Sequence, residues 1–106
     1  KTPFMTHITV DELKARLDAG EKVNLLDVRE DDERKDFNIG GVHQRLGLIQ
    51  SMQFDDLEDW KDEEVIVYCR SGNRSQIAGH IMESAGFKNV VNLSGGMLDW
   101  QHKFGG

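Results

Sequence analysis

Three short apolar runs set the strongest limit on what this chain can fold into: VNLLDV at 23–28, VIVY at 65–68 and VVNL at 90–93. Runs this short and this continuous suit strands covered on both faces, which is the habit of parallel sheets. Parallel neighbours cannot be joined by a hairpin and need a crossover of a dozen or more residues, usually a helix. Helical patterns stand where those crossovers are required. Before the first run, Thr9 and Glu12 form a capping-box signal, Val10, Leu13 and Leu17 repeat on one face, and Gly20 ends the segment. Between the second and third runs, RSQIAGHIMESAG at 74–86 reads as a helix with Ile77, Ile81 and Ala85 on its apolar stripe and Gly86 as terminator. After the third, SGG at 94–96 turns the chain into a last helix whose apolar face holds Met97, Trp100 and Phe104. Strand and helix in alternation predict an α/β sandwich around a mostly parallel sheet.

The stretch at 38–60 breaks this rhythm. Two glycines open it, GVHQRL has the length of a short strand but poor alternation, and Phe54 to Trp60 suggests a short helix. The structure of 41–53 does not follow from the pattern. With 106 residues, no internal repeat and no linker, residues 1–106 are expected to form one domain.

A formal charge of −6 argues against a nucleic-acid partner or an anionic membrane, both of which need a cationic face. The acidic runs at 29–36 and 55–64 read as solvated helix faces. No run approaches the 18 apolar residues of a membrane span, and KTPFMTHITV lacks the apolar core of a signal peptide. A cytoplasmic location is the expectation, although Lys1 is not a native start and a removed leader or a larger parent chain is compatible with it.

Cys69 is the only cysteine, so no internal disulfide forms, and the four scattered histidines show no zinc spacing. A lone thiol is usually an inert core residue. Its surroundings argue otherwise. Cys69 ends an apolar strand, and ligands of parallel α/β sheets bind at the carboxyl ends of strands. The helix that follows turns its unpaired N–H groups and the positive end of its dipole toward the loop, a geometry that holds an anion. Gly72 permits an unusual backbone turn, while Ser71, Asn73 and Ser75 tolerate tight turns and offer side-chain hydrogen bonds, so CRSGNR can curl its amides around the sulfur. Free cysteine, near pKa 8.5, is only about 3% thiolate at neutral pH. Arg70, Arg74 and the helix N-terminus are surroundings that lower such a pKa, which makes Cys69 a candidate nucleophile. Phosphate ester cleavage would need a wider C-x5-R ring, whereas Cys69 and Arg74 are spaced C-x4-R and the preceding residue is Tyr68 rather than histidine. The tighter arc suits the outer sulfur of a persulfide.

LLDVRE, VYCRSGNRSQIAGHIMESAGFKNVVNL and GGMLDW, in this order and spacing, closely resemble the single-domain rhodanese family of sulfurtransferases, from about Ile8 to Trp100. The resemblance implies a three-layer sandwich with a five-stranded, mostly parallel sheet flanked by helices. It also implies a double displacement without cofactor or metal. Cys69 takes sulfane sulfur from a donor such as thiosulfate and passes it from a persulfide to cyanide, a thiol or a protein acceptor. Arg70, Ser71, Gly72, Asn73, Arg74 and Ser75 map onto the family's substrate cradle, with Arg70 and Arg74 as contacts for an anionic donor. Asp27 and Arg29 are expected to pair structurally, Gly95, Gly96 and Trp100 to serve turn and packing, and His43 and His80 to be surface residues. The chain departs from the family's usual GHIxGAxNIP segment with FNIGGVHQRLG, which affects the rim of the site rather than the cysteine loop. Without a second cysteine an external acceptor must discharge the persulfide. The competing expectation is a non-catalytic rhodanese-like binding or regulatory module.

Overall fold

The computed structural model describes residues 5–106; Lys1, and with it the first part of KTPFMTHITV, lies outside the described residues. Five strands form one sheet: β1 (Thr6–Ile8), β2 (Leu25–Asp27), β3 (Val42–His43), β4 (Glu64–Tyr68) and β5 (Asn89–Leu93). Their order is β1-β5-β4-β2-β3, and every pairing is parallel. The crossovers carry α1 (Val10–Asp18), α2 (Asp31–Asp36), α3 (Leu46–Gln50), a 3-10 helix (Asp55–Trp60) and α4 (Asn73–Ser84), and α5 (Gly96–Phe104) closes the chain. All strands point the same way, so their carboxyl ends share one edge of the sheet.

β4 sits in the middle, and its alternation builds the two cores. Val65 and Val67 face one side with Ala78 and Met82 of α4, Ile49 of α3, Leu57 of the 3-10 helix and Phe87. Ile66 and Tyr68 face the other with Val10 and Leu13 of α1 and Met97 and Trp100 of α5. All four of these strand residues are fully buried. At roughly 1.5–3 kcal/mol for each large apolar side chain removed from water, this strand is the best-anchored element of the sheet. Cys69 continues the alternation and belongs to the α4 side.

The capping box at Thr9 and Glu12 is present in both directions, at 3.1 and 2.9 Å. The expected strand at 23–28 is shorter, Leu25–Asp27, although the Ile66 N–H still donates to the Asn24 carbonyl at 2.8 Å and the Asn24 side-chain amide donates to Glu63 and to the carbonyl of Glu64. The stripe expected on the 74–86 helix holds in part, with Ile81 and Ala85 half-buried against the core. Ile77 is 47% exposed, and the buried face is Ser75, Ala78, Gly79 and Met82. Gly79 leaves little room: a Cβ there would meet the end of the Met5 side chain and lie 3.3 Å from Val90 of β5. GVHQRL does contain a short strand, β3, and the helix near Phe54–Trp60 is of the 3-10 type. α3 had no clear sequence signal. The acidic α2 buries none of its residues. No helix among the described residues is long and apolar enough to cross a membrane.

Candidate active site

β4 ends on Tyr68, and the next residue places its sulfur below an arc formed by residues 70–73. Gly72 has φ of 105° and is the N-cap of α4. That left-handed conformation favours glycine and turns the chain sharply enough for its own amide to point back at the sulfur. The Gly72 N–H donates to Cys69 Sγ at 3.1 Å and the Ser75 N–H at 3.3 Å, with the Ser75 hydroxyl oxygen 3.4 Å away. Cys69 is only 1% exposed. Burial pushes its thiol up, but the hydrogen bonds of the Ser75 hydroxyl and of the Ser75, Gly72 and Ser71 amides outweigh burial and bring it below its ordinary value.

The arc is clamped from behind. Amides of the first turn of α5 reach its carbonyls, Met97 N–H to Cys69 O and Leu98 N–H to Arg70 O, both at 2.9 Å. Gly96, with φ of 54°, makes this approach possible, since a Cβ there would strike the carbonyl oxygens of Cys69 and Arg70. The turn and packing role expected of Gly95 and Gly96 is thus also what holds the cysteine loop in shape.

The two arginines do not act as a pair. Arg74 forms a bidentate ion pair with Glu33 at 2.7 and 2.8 Å. That hydrogen-bonded guanidinium brings the Glu33 carboxyl down to about 2. The attraction between Arg74 and Cys69 ranks behind the Glu33 interaction. Arg70 is exposed and forms no ion pair among the described residues. Of the surroundings expected to lower the thiol, the amides at the helix start do face the sulfur and the Ser75 hydroxyl joins them, while Arg74 is engaged by Glu33 and Arg70 is exposed. Glu33 also shows that the run at 29–36 is more than a solvated face.

Asp27 and Arg29 pair as expected. Asp27 is fully buried and accepts from the Arg29 backbone N–H, Nε and Nη2 at 3.0, 2.9 and 2.8 Å. Arg34 adds a bond to Asp27 and donates to the carbonyls of Gly40 and Gly41, while the Tyr68 hydroxyl donates to Gly40 O. His80 is exposed, but His43 is largely packed away, with Nε2 2.7 Å from the carbonyl of Arg29. This departs from the surface role expected of it.

A Rhodanese-like domain model matches residues 9–103. The chain belongs to the rhodanese-like family. It is 39% identical over 95 residues to the Bacillus subtilis protein named "Putative sulfurtransferase YtwF", covering 89% of this chain and 88% of that one. It is 37% identical over 97 residues to "Putative sulfur carrier protein YrkF" of the same organism, covering 91% of this chain but only 51% of that protein, so it spans about half of that relative. A rhodanese-like domain protein of Staphylococcus aureus superposes with a TM-score of 0.77 at 32% identity, covering 91% of each chain.

Within this rhodanese-like domain the structure adds Asn92, which sequence reasoning left inside an apolar strand. It is 3% exposed on β5 and its Oδ1 accepts from the Ser75 hydroxyl. An amide in the middle of VVNL was the available signal, since a polar group in a strand buried on both faces requires a partner.

Proposed function

We propose that this rhodanese-like domain moves sulfane sulfur through a persulfide on Cys69. The observation that carries the reading is the ring of donors on one sulfur, which favours the anionic form of a side chain that burial alone would keep neutral. The Cys69 thiolate attacks the outer sulfur of a donor such as thiosulfate. A sulfur–sulfur bond forms at Sγ and sulfite departs with the electron pair of the broken bond. A thiophilic acceptor, cyanide or a thiol, then attacks the outer sulfur of the persulfide and releases the thiolate. The amides of Gly72 and Ser75 that face Sγ stabilise negative charge before and after transfer.

Arg70, Ser71, Gly72, Asn73, Arg74 and Ser75 form the donor-binding arc in this scheme, with unequal parts. Arg70 is the cation free to meet an anionic donor, and Arg74 fixes the arc to α2 through Glu33. Ser71 and Asn73 are exposed on the arc. With the sulfur 1% exposed, bulk water is kept from it, and a donor reaches it by displacing part of the arc. The likeness to a protein named as a sulfur carrier supports a protein acceptor as well as small thiols.

Intact mass after thiosulfate treatment tests the proposal. The native chain should gain one sulfur atom that a small thiol removes, and Cys69→Ser should gain none. Thiocyanate formation from thiosulfate and cyanide should fall to background in the same variant. Equal rates in the two proteins would leave a binding module as the reading.

A further inference from the structure

The hydrogen bonds around the sulfur do not stop at Ser75. They run from Cys69 to Ser75, to Asn92, to His7 on the edge strand: the thiol donates to Ser75 Oγ at 3.4 Å, the Ser75 hydroxyl donates to Asn92 Oδ1, and Asn92 Nδ2 lies 3.1 Å from His7 Nδ1. Ser75 and Asn92 are 0% and 3% exposed, whereas His7 is exposed. His7 and Asn92 are direct register partners of β1 and β5, so the sheet itself sets the last contact.

Ser75 has one proton, and the chain has two complete hydrogen-bonding patterns. In the first, the hydroxyl proton goes to Asn92 Oδ1, so Ser75 can only accept from the sulfur. Cys69 is then a thiol, and Asn92 Nδ2 donates to an unprotonated His7 Nδ1. The second pattern serves the thiolate. Ser75 turns its proton to the sulfur, the Asn92 amide rotates to offer Nδ2 to Ser75 Oγ, and Oδ1 now accepts from a protonated His7 Nδ1. A thiolate with the first pattern would face the lone pairs of Ser75 instead of its proton, which forfeits a charge-assisted hydrogen bond.

We infer that His7 is a remote positioning residue for Cys69, whose Nδ1 proton decides whether Ser75 can donate to the thiolate. The protons balance. On ionisation the thiol proton leaves to water, Ser75 keeps its own proton in a new orientation, and neutral His7 gives one proton to water from Nε2 as it takes one on Nδ1. Its exposure permits that exchange. Among the described residues, charges on α4, α1 and α5 have partners of their own: Arg74 pairs with Glu33, His80 lies beside Glu83, Asp11 pairs with Lys103, and Glu12 accepts from the Thr9 amide. The inference rests on Cys69 being the working nucleophile, but its test does not require turnover.

The ring of His7 is followed by nitrogen-15 NMR at a pH where the imidazole is neutral and the thiolate is formed. The native protein should show the Nδ1–H form, and Cys69→Ala, in which Ser75 has no anion to serve, the Nε2–H form. The same tautomer in both proteins overturns the relay. Alkylation of Cys69 at neutral pH, in high salt to screen added charge, supplies the second readout. His7→Asp accepts only and should lock the thiol pattern, slowing alkylation about tenfold or more, the worth of one hydrogen bond to a charged group. His7→Gln can present either end of its amide and should restore the rate. An unchanged rate in His7→Asp, or equal slowing in both variants, also overturns it. A native thiol that alkylates like free cysteine is a different result and defeats the nucleophile itself.

Discussion

Tyr68 and Cys69 are neighbours in the chain, yet they anchor opposite kinds of polar network on opposite faces of the sheet. Around Tyr68 the network is ionic: the one Asp27 carboxylate is shared by two guanidinium groups, Arg29 at 2.8 and 2.9 Å and Arg34 at 3.4 Å. Burial and the nearby Asp27 carboxylate push the Tyr68 hydroxyl up to about 12, so it stays a neutral donor. Around Cys69 the network is made of dipoles, the amides of Gly72 and Ser75, the Ser75 hydroxyl and the Asn92 amide. The ionic cluster braces the strand ends through permanent charges, whereas dipoles around a single ionisable sulfur are the setting that the proposed nucleophile requires.

Substitutions can break this contrast, and the largest effect belongs to the ionic side. Asp27→Asn leaves the 4%-exposed Arg29 without its counter-ion, and breaking a buried pair costs about 3–5 kcal/mol. Urea unfolding should show that loss, while alkylation of Cys69 in the folded fraction keeps the native pH profile. A changed profile would merge the two networks. Ser75→Ala should show the reverse pattern. Its stability falls by about 1–3 kcal/mol, because Asn92 Oδ1 loses its buried donor. Its thiol pKa rises, measured by the pH dependence of alkylation. Gly96→Ala should also act on the thiol, since its new methyl would press on the carbonyls of Cys69 and Arg70. Forcing that backbone apart costs about 1–3 kcal/mol.

The smallest effect is expected at Arg74, which separates the two networks most finely. Arg74→Gln removes a partly exposed ion pair, worth about 1 kcal/mol at neutral pH. Its signature lies in acid. Glu33 is held at about 2 in the folded protein against an ordinary 4.5, so its contribution is present above 4.5 and is lost as pH falls toward 2. The native protein should therefore lose more stability across that window than Arg74→Gln does, as read from urea midpoints at several pH values. Equal losses would remove Glu33 as the partner.

The layered parallel architecture and the position of Cys69 were legible because both depend on local pattern: continuous apolar runs, a capping box, and a glycine-containing turn between a strand and a helix. Where long-range packing decides, the sequence was silent. Ile77 lost the buried face of α4 to Ala78 and Gly79, since a Cβ at position 79 would already press on Met5 and Val90, and no periodicity reports that distance. Arg74 looked like a ligand for the sulfur because it is five residues away. Its partner Glu33 is 41 residues away, and only the fold brings the two together. Asn92 and His7 were hidden for the same reason, being joined to Cys69 through strand register rather than along the chain. His43 packs under Arg29 through the pairing of β2 with β3, in the stretch whose sequence had the weakest pattern.

The central claim is that main-chain amides and Ser75, more than arginines, lower the pKa of the sole thiol. The rate of iodoacetamide alkylation of Cys69 as a function of pH tests it directly, with the native chain, Ser75→Ala and Arg70→Gln compared side by side. The native midpoint should lie below the ~8.5 of free cysteine, move up in Ser75→Ala, and move less in Arg70→Gln. A native midpoint at or above that of free cysteine, or a larger shift from losing Arg70 than from losing the Ser75 hydroxyl, would contradict it.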